Sequence, residues 1–179
     1  MRVKKNNKGF TLIELLAVIV ILAILAAAAI PAVTKYLTTA RKGTYASNAI
    51  AAIDAVRNDV ISRGTTTSTT YYLDATPTKE EDRTNTAIAP VTINELLEKK
   101  IEKSPFGGNF DESNSYVYVE FDPVTQTYTY SICLVDSLGN GFIDHSDNKG
   151  MGVLESTVTD DQVQLNGSKV CKPVIIPKP

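Results

Sequence analysis

The chain has 179 residues, with 18 basic and 20 acidic side chains and a formal net charge of −2 at pH 7, which is length enough for one domain and an anchoring segment. Four of the basic residues fall in the first nine positions, so the rest of the chain carries 14 basic against 20 acidic groups and offers no basic face for a nucleic acid. Two cysteines are too few for a thiolate-built metal site, and a triad would have to use the single histidine, His145, near which nothing places a nucleophile.

The amino terminus holds Arg2, Lys4, Lys5 and Lys8 and no acid, and Phe10 to Ile30 follows with one charged residue, Glu14. As a helix that run is roughly 32 Å long, the thickness of a bilayer's hydrocarbon core. A secretory signal peptide carries its small-residue cleavage site after the apolar run. Only Ala26 to Ala29 imitates one here, and Pro31 and a continuing helical pattern follow it. The basic flank argues for a cytoplasmic amino terminus, since Lys35, Arg41 and Lys42 beyond the run are less dense. A lone carboxylate in an apolar helix is costly and needs a partner. The plain alternative is that Glu14, four residues inside the run, snorkels to the interface.

Lys8-Gly9-Phe10-Thr11-Leu12-Ile13-Glu14 resembles the class III signal motif of type IV pilins and the related pseudopilins. The resemblance implies that a prepilin peptidase cuts between Gly9 and Phe10 and methylates the new amino terminus at Phe10. The apolar segment would then stay on the mature protein. It implies further partners: an assembly ATPase, a membrane platform protein and other copies of the chain. Glu14 would pair with the amine of Phe10, its own or a neighbour's. Pro31 stands where family members often carry a helix-bending proline, and Ala23 departs from the glycine many of them have.

Beyond Pro31 the pattern continues to Arg63 through Tyr36, Ala40, Ala46, Ala49, Ile50, Ile53, Val56, Val60 and Ile61, and Gly64 is the expected stop. Pro31 is expected to kink this helix rather than end it, and Gly43 sits inside it. Residues 64–115 are expected to be largely a polar loop, with TTTSTT and ATPTKEEDRTNT lacking periodicity. Within it Thr92 and Glu95 form a capping box ahead of Ile93, Leu96, Leu97 and Ile101. Ser104-Pro105 ends that helix, and Pro105 to Phe110 turns toward the sheet. Lys99, Lys100 and Lys103 read as a solvated helix end.

Residues 116–179 read as strands: Tyr116 to Phe121, Gln126 to Val135, Gly152 to Val158, Gln162 to Leu165 and Val170 to Ile176. In the second of these Tyr128, Tyr130, Ile132 and Leu134 share the face expected to pack on the helix, and Thr127, Thr129, Ser131 and Cys133 share the other. Outside the membrane Cys133 and Cys171 can form a disulfide. Asp136 to Asp147 partly matches a calcium loop through Asp136, Asn140, Asp144 and Asp147, with Leu138 failing the third position. A Gly/Asn/Asp-rich turn explains the same residues. Asn166-Gly167-Ser168 matches a glycosylation acceptor and a tight turn equally.

The expected fold class is α+β: a long N-terminal helix, hydrophobic and protruding in its first half, packed on an antiparallel β-sheet head, type IV pilin-like. Its parts are a leader peptide at 1–9, a transmembrane and filament-core helix at 10–36, and a head at 37–179 whose helix ends at 63. The expected function is a structural subunit of a type IV pilus. It is not an enzyme, starts as a single-pass precursor in the cytoplasmic membrane and ends in the extracellular fimbrium. The alternatives are a minor pilin, a type II secretion or competence pseudopilin, and an adhesive or DNA-uptake subunit. No cofactor is expected apart from the calcium reading.

Overall fold

The computed structural model describes residues 9–74, 87–112, 114–142 and 152–165. The chain divides into two compact units, Met1–Thr39 and Ala40–Pro179. Helix α1, Leu12–Arg63, is 52 residues long and includes the division and Pro31.

In the first unit every described side chain from Leu12 to Leu37 is exposed. Leu12, Ile13, Ile24 and Leu25 are at least 60% accessible, so no described residue of the unit covers this apolar surface. Its threonines ask little of a solvent. The Thr34 hydroxyl donates to the carbonyls of Ile30 and Pro31, each at 3.0 Å, and the Thr38 hydroxyl to that of Thr34 at 2.9 Å. Hydroxyls returned to the backbone in this way leave a surface compatible with an apolar medium.

In the second unit α1 buries Tyr45, Ala46, Ala49, Ala52, Ile53, Val56, Asp59 and Val60. At ~100° per residue these positions fill one arc of the helix. Ile50 and Ile61 fall beyond its edge and are 44% and 65% exposed, and Tyr36 is exposed as well. Tyr45, left out of the sequence-derived stripe, is fully buried. Gly64 ends the helix in the left-handed region, at φ 60°.

The sheet strands are β1 Thr69–Tyr72, β2 Ala87–Ile88, β3 Tyr116–Asp122, β4 Thr127–Val135, β5 Gly141–Phe142 and β6 Val153–Leu154. Their order is β2-β1-β3-β4-β5, and β6 also pairs with β4. The expectation of an α+β fold with an antiparallel sheet holds for β1/β3, β3/β4, β4/β5 and β4/β6. One pair departs from it: β1 and β2 run parallel. The span 64–115, expected as loop, therefore supplies two strands. TTYY was hidden by the threonine run before it, yet β-branched and aromatic residues are what a pleated surface accepts.

Alternation divides the head into two clusters. Tyr71, Val117, Val119, Tyr130, Ile132 and Leu134 join the α1 residues in the main core. Tyr72, Tyr116, Tyr118, Cys133 and Val135 form a second cluster on the opposite face. The expected faces of β4 are the ones observed. The short helix α2 covers only Ile93–Leu96, because Leu97 is already extended. The Asn94 side chain then accepts the Ile101 N–H at 2.8 Å, which replaces further helical bonding. The Glu95 carboxylate accepts the Thr92 N–H at 2.7 Å, one half of the expected capping box. Of the two last expected strands before residue 166, the first is β6 followed by a 3-10 turn at Glu155–Thr157. The second is a 3-10 turn at Asp160–Gln162 and a single bridge between Gln164 and Gly141. The expected strand at Val170 to Ile176 lies outside the described residues.

Burial and the charge of Asp136 raise the Tyr45 hydroxyl well above the ordinary tyrosine range. Burial, then the hydrogen bond to Asp59 and its charge, do the same for Tyr71. Both raised groups keep their proton in the fold after the unfolded chain has lost it. Their contribution is fully present below about pH 10 and is lost as pH rises beyond it. Head stability is therefore expected to fall above pH 10 by about 1.4 kcal/mol per pH unit for each such tyrosine. Ultraviolet titration should show these tyrosines ionising only together with unfolding.

Candidate processing and assembly site

The amino-terminal site is built by the start of α1. Gly9 and Phe10 precede the helix and are exposed, Phe10 at 91%. Thr11 is the last residue before the helix, and its carbonyl accepts the first helical bond, from Leu15 N–H at 3.2 Å. The Thr11 hydroxyl oxygen accepts the Glu14 N–H at 3.3 Å. The Glu14 carboxylate in turn accepts the Thr11 N–H and hydroxyl, each at 2.8 Å. This is a capping box: two of the donors that a helix start leaves unpaired are satisfied reciprocally. A carboxylate in the first turn also faces the positive end of the helix dipole.

Thr11 is the functional residue the sequence reading passed over. Its signal was present as Thr11-x-x-Glu14 ahead of an apolar run. Glu14 thus has a partner within its own chain, held through one carboxylate oxygen, Oε2. Lys8, the first residue of the quoted motif, lies outside the described residues.

An added Cβ at Gly9 meets no described atom within 4 Å, so the fold itself gives no reason for a glycine at this position. Gly9→Phe is expected to leave chain level and head stability unchanged while processed product disappears. A gel shift between precursor and mature forms, with a urea melt of the same sample, checks both halves.

At the other candidate site, Asp136 and Asn140 are 3% and 4% exposed and hold each other. The Asp136 carboxylate accepts N–H bonds from Leu138 at 3.0 Å and Asn140 at 2.9 Å, and from the Asn140 side-chain amide at 3.0 and 3.2 Å. The Asp136 N–H donates back to the Asn140 carbonyl at 2.9 Å, and the Tyr45 hydroxyl donates to that carbonyl at 2.9 Å. The chain then returns as β5, with Leu134 opposite Phe142. A cation at Asp136 would have to displace these donors. Asp144 and Asp147, the other two expected calcium ligands, lie outside the described residues, as do His145 and Asn166 to Ser168.

Cys133 is fully buried in the second cluster, and its Sγ lies 3.5 Å from the Phe142 carbonyl oxygen. Cys171 lies outside the described residues. Lys99, Lys100 and Lys103 are exposed beside Thr44 and Asn48, around a cavity of about 450 Å³.

Residues 4–30 match a family model described as the prokaryotic N-terminal methylation motif. The match covers Lys4, Lys5 and Lys8 of the basic flank, Gly9, Phe10, the capping box and the apolar run. No curated protein and no solved structure matches the chain.

Proposed function

We propose, from the class III signal peptide of type IV pilins that this chain carries, that it is the precursor of a structural subunit of a type IV pilus. The observation that carries the reading is the coincidence of that motif with α1. The matched residues continue into a helix long and apolar enough to cross a membrane, and every residue of it from Leu12 to Leu37 is exposed. Surface of that kind demands lipid or other copies of itself. The precursor sits in the cytoplasmic membrane as a single-pass protein. Cleavage before Phe10 by a prepilin peptidase, followed by methylation, leaves the apolar segment on the mature chain. An assembly ATPase and a platform protein then move it into a homopolymer held by bundled helices. The role is structural and involves no catalysis.

The new amine at Phe10 lies four residues before Glu14 in the chain. In an apolar filament core a carboxylate and an amine each need the other. The capping box keeps Glu14 satisfied until that exchange. Abundance in sheared surface material tests the role. A major pilus subunit should dominate that material. A trace amount would instead mark a minor pilin or a secretion pseudopilin.

The same reading places the head outside the cytoplasm, where Cys133 pairs with Cys171. Such a loop closure contributes about 4 kcal/mol in the chain-entropy model. Non-reducing alkylation of the unfolded chain is expected to label neither cysteine, and reduction first should label both. Two labelled thiols without reduction would rule the bridge out.

A further inference from the structure

We infer that Asn140-Gly141 is a deamidation site held closed by the fold, so that its conversion records heads that have opened. An asparagine followed by glycine is the pair in which ring closure is least hindered, because no Cβ shields the following amide nitrogen. The Gly141 nitrogen forms a bond to Asn140 Cγ, the Cγ–Nδ2 bond breaks, and the Gly141 amide proton leaves with Nδ2 as ammonia. Water then opens the ring at either carbonyl and yields aspartate or isoaspartate, with no change of oxidation state.

Every group in that step is engaged in the head. The Gly141 N–H donates to the Gln164 carbonyl at 2.9 Å. Nδ2 of Asn140 donates to both oxygens of Asp136, and its backbone carbonyl accepts the Asp136 N–H and the Tyr45 hydroxyl. The side chain is 4% exposed, so water reaches it poorly. Ring closure needs rotation of Asn140 and release of Gly141, which breaks the clasp on both strands.

The fold also forces the labile pair to be kept. A Cβ at position 141 would lie 1.9 Å from the Leu134 carbonyl oxygen, so the site admits only glycine. Position 140 must donate to a buried carboxylate, and the product places a second carboxylate against Asp136 where the two residues are 4% and 3% exposed. Like charges in such a site oppose refolding. A head that opens and deamidates therefore does not close the same way again.

The test compares the full chain in detergent micelles with the same chain in urea, at one mildly alkaline pH, by peptide mass spectrometry. Asn166-Gly167 in the urea sample supplies an internal reference for the intrinsic rate of an unfolded pair. In urea Asn140 and Asn166 are expected to convert at similar rates. In micelles conversion at Asn140 should be at least about a hundredfold slower than in urea, because the native rate scales with the open fraction. An Asn140→Asp chain should show a lower urea midpoint than the wild type. Equal conversion at Asn140 in micelles and urea, or an unchanged midpoint for Asn140→Asp, would overturn the inference.

Discussion

Gly141→Ala is expected to destabilise the head more than either Gly9→Phe or Gly43→Ala. The added Cβ would meet the Leu134 carbonyl oxygen at 1.9 Å, its carbon at 2.9 Å and the Tyr45 hydroxyl at 2.7 Å. Two of those three atoms are backbone, paired in the β4/β5 ladder, and cannot rotate aside. The Tyr45 ring is hemmed by Phe110 at 5.1 Å and Phe142 at 5.9 Å between centroids. Relief requires parting β5 from β4, which also releases the Asp136–Asn140 clasp. A loss on the order of 4–5 kcal/mol belongs to this kind of fault. It is from about a third to nearly all of the stability of an ordinary domain, about 5–15 kcal/mol. Urea denaturation of the detergent-solubilised chain, followed by tyrosine fluorescence, measures it. Gly43→Ala is the control: its Cβ meets nothing within 4 Å, and an alanine inside a helix should raise the midpoint slightly. A wild-type midpoint for Gly141→Ala would mean that the β4/β5 contact is not what closes the head.

Glu14→Ala is expected to abolish assembly while sparing the steps before it. Among the described residues Glu14 hydrogen-bonds only to Thr11, and Thr11 is itself exposed, so no buried contact of the head is removed. The helix start loses one half of its capping box. Removing the only charge between Phe10 and Ile30 makes insertion into a membrane easier. What disappears is the one group able to receive the Phe10 amine in an apolar core, and an unpaired buried amine is severely penalised. Immunoblots should therefore find processed chain in membranes near the wild-type level, with surface filaments reduced at least about a hundredfold, the effect of roughly 3 kcal/mol per subunit contact. Normal filament yield would remove Glu14 from the assembly step.

The amino-terminal third was legible because its signals are local. A single charge in an apolar run, a basic flank and a Gly-Phe junction each depend on neighbours within a few residues. Alternation in Thr127–Val135 likewise gave both faces of β4. Legibility fell where a residue's role is set at long range. Tyr45 sits on the α1 stripe at the spacing of Ala49, Ala52 and Val56, yet its importance comes from Leu134 and Asn140. Strand β1 was lost in a threonine-rich segment, since its pairing with β3, Thr69 opposite Val119, is invisible from either strand alone. The Asp136 loop left a turn and a calcium site both open, because acids and amides mark the two alike; among the described residues Asp136 and Asn140 use their polar atoms on each other.

The central claim, that the apolar helix is kept and polymerised after cleavage at Gly9-Phe10, is tested most directly by intact and peptide mass spectrometry of filaments sheared from the cell surface. The expected result is an abundant subunit whose first residue is Phe10, carrying an N-methyl group and continuing through Leu12–Arg63. Filaments built of chains that still begin at Met1, or a surface form that begins beyond Pro31, would contradict it.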